Sequence, residues 1–284
     1  MNNINQFHDL IEKRNNTPIV DFDGFSPAQM FFILYKPFDE NSPIQFNKCI
    51  SNELLFSSPI FNIIIELLNI IQKTGGIQLT QRGYIPPKII KGIYEKKYII
   101  DYFIEHGITK LSNETAWNLI HNIKIVLLLS NLTRKYKNNI LLTKVGANSL
   151  KAADYNTIFY SFLETFTTKF NWAYNDAYES EEIGQIGFLF HLYLLFKYGN
   201  EYHKIKFYID LYYKAFPIND NSEQQYSKYN SHEQIIITRF IMRFAEWFGF
   251  VDIDYDIQKE YLKPETMIKN TILLVEMLKI QKSI

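Results

Sequence analysis

Two stretches of this chain, Thr74 to Ile93 (TGGIQLTQRGYIPPKIIKGI) and Ile140 to Leu150 (ILLTKVGANSL), follow one plan: a short β-type run ending in Leu-Thr, two residues, a Gly, and then a helix. A strand hands the chain to a helix in this way when Gly supplies a conformation with φ > 0 that other residues enter at a cost. Two such strands can pair, and we read them as the two sides of one winged-helix unit. The first copy adds Pro86 and Pro87 after its Gly. A first-turn Pro suits a helix start, because the N–H it gives up had no helical partner.

The flanking signals fill in that unit. Ser26-Pro27-Ala28-Gln29 is a capping-box arrangement opening a helix to about Tyr35, and Pro37 with the Asp39 to Pro43 cluster makes a loop before an extended Ile44 to Phe46. Ser58-Pro59 starts a helix whose apolar positions Phe61, Ile64, Ile65, Leu68 and Ile71 run to Gly75-Gly76. The spacing predicts a strand over Ile77 to Thr80, a second helix from Pro87 to about Glu105, and a third helix capped by Ser112 or Asn113 and reaching Leu132. The polar hairpin Arg134 to Asn139 then leads into Ile140 to Thr143.

After Asp154 the chain turns to amphipathic, aromatic helices: Thr157 to Phe170, Glu182 to Tyr198 and Lys204 to Phe216. Residues 218–230 read as a polar loop, and Ser231-His232-Glu233-Gln234 as a second capping box opening a helix that ends at Gly249. A half-exposed strand follows at Phe250 to Tyr255, and Met267 to Lys279 reads as partly strand and mostly helix. The expected class is mainly α, with a winged-helix-like N-terminal half carrying a short β-hairpin and an α-helical C-terminal half with one or two short strands. The expected divisions are a lead-in segment 1–24, a winged-helix-like domain 25–153 and an aromatic-rich helical domain 154–284. Within the last, 231–284 faintly repeats the earlier pattern as a second, degenerate wing-like unit.

Several short landmarks carry a family resemblance: Ser26-Pro27-Ala28-Gln29-Met30, Leu79-Thr80 with Gly83, Ile85 and Pro86, Leu142-Thr143 with Gly146, Phe170-Asn171-Trp172, Ala215-Phe216-Pro217 and Phe244-Ala245-Glu246-Trp247-Phe248-Gly249. With these the chain resembles a family of uncharacterised bacterial proteins, some linked to SEC-C or plasmid open-reading-frame-like domains. The resemblance implies one contiguous architecture spanning most of the chain and no established activity.

Charge is balanced overall, with Lys+Arg and Asp+Glu at 30 each, but its distribution is uneven. Lys73 to Lys151 holds 13 basic and 4 acidic residues, a local excess of +9, and the remainder carries −9. Such asymmetry points to a polyanion partner for the basic part, or to a basic domain docking on an acidic one. The single cysteine, Cys49, leaves no internal disulfide and agrees with a reducing compartment. The start lacks a basic n-region followed by an apolar h-region, and the longest apolar runs, near Ile123 to Leu129 and Gly187 to Phe196, fall short of the ~20 residues that span a bilayer. A cytoplasmic protein with no membrane partner is expected.

Two partner classes compete. On a DNA reading, Ser112 to Leu132 is a recognition helix in the major groove and the hairpin rides a phosphate backbone. Arg134, Lys135, Lys137 and Lys144 would contact phosphates, helped by Lys88, Lys91, Lys96 and Lys97, while Asn118, Asn122 and Lys124 would reach bases. That helix, however, has no Arg before its end, and its second half, IKIVLLL, is too apolar for a reading face. The leading expectation is therefore a protein-interaction or scaffolding module with an unidentified protein partner, and duplex DNA is the alternative. Catalysis is not expected. The six histidines show no ligand spacing, no Gly-rich phosphate loop is present, and Glu179, Glu181 and Glu182 suit a helix N-terminus. Asp252, Asp254 and Asp256 fail as a calcium loop because Ile257 and Lys263 stand where Gly and Glu belong. No cofactor or metal is called for.

Overall fold

The computed structural model describes residues 2–174, 176–178, 180–217, 232–254 and 262–281. The polar loop 218–230, the cap at Ser231, Glu179 and the stretch Tyr255 to Ile257 lie outside them. In chain order the elements are α1 (Asn2–Asn16), α2 (Pro27–Tyr35), β1 (Ile44–Phe46), α3 (Asn52–Phe56), α4 (Pro59–Thr74), β2 (Ile77–Gln78), α5 (Pro87–Tyr94), α6 (Tyr102–Glu105), α7 (Asn118–Leu129), β3 (Thr133–Tyr136), β4 (Asn139–Leu142), α8 (Lys144–Lys151) and α9 (Tyr155–Thr168). They continue with α10 (Phe188–Tyr198), β5 (His203–Lys204), α11 (Ile205–Ala215), α12 (His232–Ile236), which runs on as a π-helix over Ile237–Glu246, then β6 (Val251–Ile253), β7 (Met267–Asn270), α13 (Ile272–Met277) and β8 (Leu278–Ile280). The protein is thus mainly helical, with short strands gathered in small antiparallel sheets.

Local signals explain most starts and stops. Ser26 accepts the Gln29 backbone N–H while the Gln29 side chain accepts that of Ser26, which completes the capping box expected there. Gly75 ends α4 in the left-handed region at φ 74°. Thr143 caps α8 through the Gly146 N–H, and Thr271 caps α13 through that of Leu274. The second helix of the basic stretch departs from expectation. It stops at Tyr94, Lys97 turns left-handed at φ 54°, and only the short α6 follows. Lys97 and the Tyr94 hydroxyl both bond Glu105, which fixes that turn.

The chain forms two compact units. One comprises Lys48–Asp176 with Phe244–Phe250, so it does not follow the division expected at 153/154. The physical reason is aromatic packing. Phe159, Phe162 and Phe166 of α9 are buried against Phe248, and Phe166 also stacks on Phe244 at 5.8 Å between centroids. Each fully buried Phe or Ile contributes about 1.5–3 kcal/mol relative to exposure. At the centre lies α4, with Ile60, Phe61, Ile63, Ile64, Ile65, Leu67, Leu68 and Ile71 buried. The sheet of this unit has the order β2-β4-β3, all antiparallel.

The other unit comprises Met1–Asn47, Ala177–Arg243 and Val251–Ile284. Its three-stranded sheet has the order β5-β7-β6, again the first strand beside the third, and β1 pairs β8 separately. In the lead-in, Asp23 accepts from the Lys197 ammonium and the Tyr198 hydroxyl, each at 2.6 Å. Buried Arg239 donates to the carbonyls of Ser180 and Ile183.

His191 is buried in this unit between the rings of Tyr212 and Phe240, at 4.0 and 4.5 Å, and its Nε2 has no hydrogen-bond partner. Burial alone lowers its pKa to about 3. The unfolded chain protonates this histidine below about 6.5 and the folded one does not until far lower. Stability should therefore fall as pH drops from 6.5 toward 3. His191→Phe, which fits the same stacked slot, should remove that component, as denaturant midpoints at pH 7 and pH 4.5 would reveal.

Candidate nucleic-acid interface

Within the basic stretch, one hairpin and one turn are tied together through Asn138 and Leu79. β3 and β4 pair from Thr133↔Leu142 to Tyr136↔Asn139, and the chain reverses through Lys137 and Asn138, with Lys137 left-handed at φ 50°. Arg134, Lys135, Tyr136 and Lys137 are all exposed, and the Arg134 guanidinium and Lys137 ammonium lie 5.7 and 5.6 Å from the Tyr136 ring. The hairpin tip is fastened to the strand that precedes α5. Asn138 donates through Nδ2 to the Leu79 carbonyl at 2.7 Å, and its own carbonyl accepts the Leu79 N–H at 2.8 Å.

From Leu79 the chain enters a tight turn. The Thr80 N–H donates to the Tyr84 carbonyl, the Gly83 N–H returns to that of Thr80, and the Tyr84 N–H reaches the Thr80 hydroxyl. Gly83 holds φ 75°, the left-handed conformation its sequence pattern implied. At the tip stand exposed Gln81 and Arg82. A shallow depression of about 290 Å³ beside it is lined by Thr80, Arg82, Tyr84, Ile85, Pro87 and Asn113, among others. Helix α5 follows at once, with Lys88 and Lys91 exposed opposite buried Ile90 and Ile93.

Beneath the turn lies a buried charged cluster. Glu114 is fully buried, and its carboxylate accepts the Ile85 N–H at 2.5 Å, the Lys124 ammonium at 2.5 Å and His121 Nδ1. Lys124 also donates to the Gly83 carbonyl at 3.0 Å and lies 5.5 Å from the Tyr84 ring. His121 Nε2 meets the Tyr174 hydroxyl at 3.2 Å. Burial pushes the Glu114 carboxyl up, but the hydrogen bonds from His121, Lys124 and Ile85 outweigh it and hold the carboxyl below its ordinary value.

This arrangement corrects the expected recognition helix. Asn113 caps only a short 3-10 turn, Glu114–Ala116, and α7 begins at Asn118. Leu119 to Lys124, Val126 and Leu127 are buried, so α7 is a core helix without a reading face. Asn122 is 2% and Lys124 7% exposed, Lys124 is committed to Glu114 and Gly83, and Asn118 is half-buried. Lys96 pairs with Glu66 and Lys97 with Glu105. Lys88 and Lys91 of α5, Arg134, Lys135 and Lys137 of the hairpin, and Lys144 at the start of α8 remain exposed.

Sequence reasoning missed Arg82, Glu114 and His121. For His121 the available signal was the set of polar residues inside LIHNIKIVLLL, which an otherwise apolar helix tolerates only when they are paired; Arg82 and Glu114 carry no such mark. Among the described residues no group of three or more His, Cys, Asp or Glu could hold a metal ion, and no helix is long and apolar enough to cross a membrane.

Residues 56–155 match the model of a family described as the Y4jL N-terminal domain, a stretch that takes in α4 to α8 and hence the hairpin, the turn and the buried cluster. No curated protein matches the chain. No solved structure matches it either.

Proposed function

We propose that this chain is a non-catalytic, cytoplasmic binding protein that grips the phosphate backbone of duplex DNA through a winged-helix-like unit. The hairpin and the 80–91 segment make the contacts, and α7 reads no bases. One observation carries this reading. Among the described residues, Arg82, Lys88, Lys91, Arg134, Lys135 and Lys137 are exposed without an ion pair, while the buried lysine of the same stretch, Lys124, is neutralised internally. Clustered cations free of acidic partners are the electrostatic footprint of a polyanion site. The order β2-β4-β3, with the hairpin's second strand between its first and the earlier strand, supports the winged-helix assignment. The order β5-β7-β6 supports a second such unit, spanning α10 to α13 rather than 231–284 alone.

Binding to mixed-sequence duplex, followed by fluorescence anisotropy at two salt concentrations, tests the proposal. Affinity should fall steeply as salt rises, since each phosphate contact adds about 0.9 to the salt slope. Replacing Arg134, Lys135 and Lys137 together with Ala should weaken binding on the order of 10–100-fold and flatten the slope by about 3. A protein-docking reading is favoured instead by the connection between α5 and α7, where Ile100 and Ile108 are 59% and 65% exposed. No duplex binding at low salt would leave that reading standing.

A further inference from the structure

Three consecutive residues of the 80–85 turn are gripped from below by one buried cluster. Lys124 takes the Gly83 carbonyl and lies under the Tyr84 ring, His121 meets the same ring edge-on at 6.3 Å, and Glu114 takes the Ile85 N–H. A buried ion cluster is a poor source of net stability, because desolvating its charges offsets most of their attraction, and apolar side chains of similar size would serve the core as well. What apolar side chains cannot do is hold a backbone carbonyl and a backbone N–H at chosen positions. The turn's internal bonds close it upon itself, while the cluster sets where it stands relative to α5 and, through Leu79 and Asn138, to the hairpin tip. Exposed Arg82 is carried at the tip of that fixed turn.

We infer that Glu114, His121 and Lys124 are positioning residues which lock the turn so that Arg82 is preorganised as a phosphate contact beside the hairpin. This inference rests on the duplex-binding reading above. A side chain held in its bound geometry beforehand has less ordering entropy to lose on binding, so the cluster acts on affinity through Arg82 without touching the ligand. Lys124 and Glu114 thus take part in binding, although neither is placed to meet a base.

The test is a double-mutant cycle on the full chain with the same duplex and anisotropy readout. Arg82→Ala should weaken binding about fivefold to tenfold and lower the salt slope by about 1, the signature of one lost phosphate contact. Lys124→Met, which leaves the Glu114–His121 pair in place, should have nearly the same two effects, and adding Arg82→Ala to it should cost little more. Glu114→Gln, which keeps an acceptor for Ile85, provides a second route if Lys124→Met folds poorly. A core variant of comparable stability loss, such as Ile120→Ala at a fully buried position, should leave the affinity and slope unchanged. Additive losses in the cycle, or unaltered binding by Lys124→Met, would overturn the inference while wild-type duplex binding still stood. Absence of wild-type binding would remove the duplex reading and the inference together.

Discussion

Gly146→Ala should destabilise the protein by about 3 kcal/mol or more, at the upper end of what overpacking a well-filled site produces. A Cβ at this position would lie 2.1 Å from the Leu132 carbonyl oxygen and 3.0 Å from its carbon, which are backbone atoms at the entry to β3. That carbonyl is held in place, because it accepts both the Thr143 N–H at 3.0 Å and the Thr143 hydroxyl at 3.3 Å. Relief would require α8 to move off the sheet and give up the Thr143 cap. Thermal unfolding should show a midpoint lowered by roughly 6–12 °C. Gly92→Ala supplies the contrast within the same unit. It lies in α5 with nothing within 4 Å of an added Cβ, so the variant should gain about 0.5–1 kcal/mol. Equal midpoints for the two variants would contradict the close approach of α8 to β3.

The second large effect is expected at Glu114. Glu114→Ala leaves the buried Lys124 ammonium without its carboxylate and the Ile85 N–H without its acceptor, and breaking a buried ion pair from one side costs about 3–5 kcal/mol. The sign with pH follows from its carboxyl being held below the ordinary value. The unfolded chain takes up this proton more readily than the folded one, so the stability linked to Glu114 is complete above about pH 4.5 and is lost as pH falls through the folded-state pKa. The Ala variant should accordingly show a weaker dependence of denaturant midpoint on pH in the acid range than the wild type. Combining Glu114→Gln with Lys124→Met should recover much of the lost stability at neutral pH, since no charge is then left buried without a partner.

The two glycines that mark the Leu-Thr-x-x-Gly echo turn out to serve different ends. Gly83 has the positive φ that its pattern implied, and any side chain there would be strained. Gly146 does not fall in that region and is required for space alone. Both uses leave the same mark in a sequence, because glycine is distinguished only by the missing Cβ.

What the sequence determined by itself was local: the Ser26 box, the Pro59 start and Gly75 stop of α4 and the hairpin from Arg134 to Asn139 all depend on partners within a few residues. Such signals act over one turn of helix or one reversal of strand, so they survive without knowledge of the rest of the chain. The tertiary structure alone decided which side chains meet across distance. Lys124 and Asn122 looked like the exposed face of a helix, yet Lys124 finds Glu114 and Gly83, and Glu114 finds Ile85. Likewise, α9 joins the unit that precedes it because its phenylalanines pack against Phe244 and Phe248, some 80 residues further along. Burying a charge is tolerable only when a specific opposite group arrives from elsewhere in the chain, and that arrival is a property of packing which no window of sequence contains.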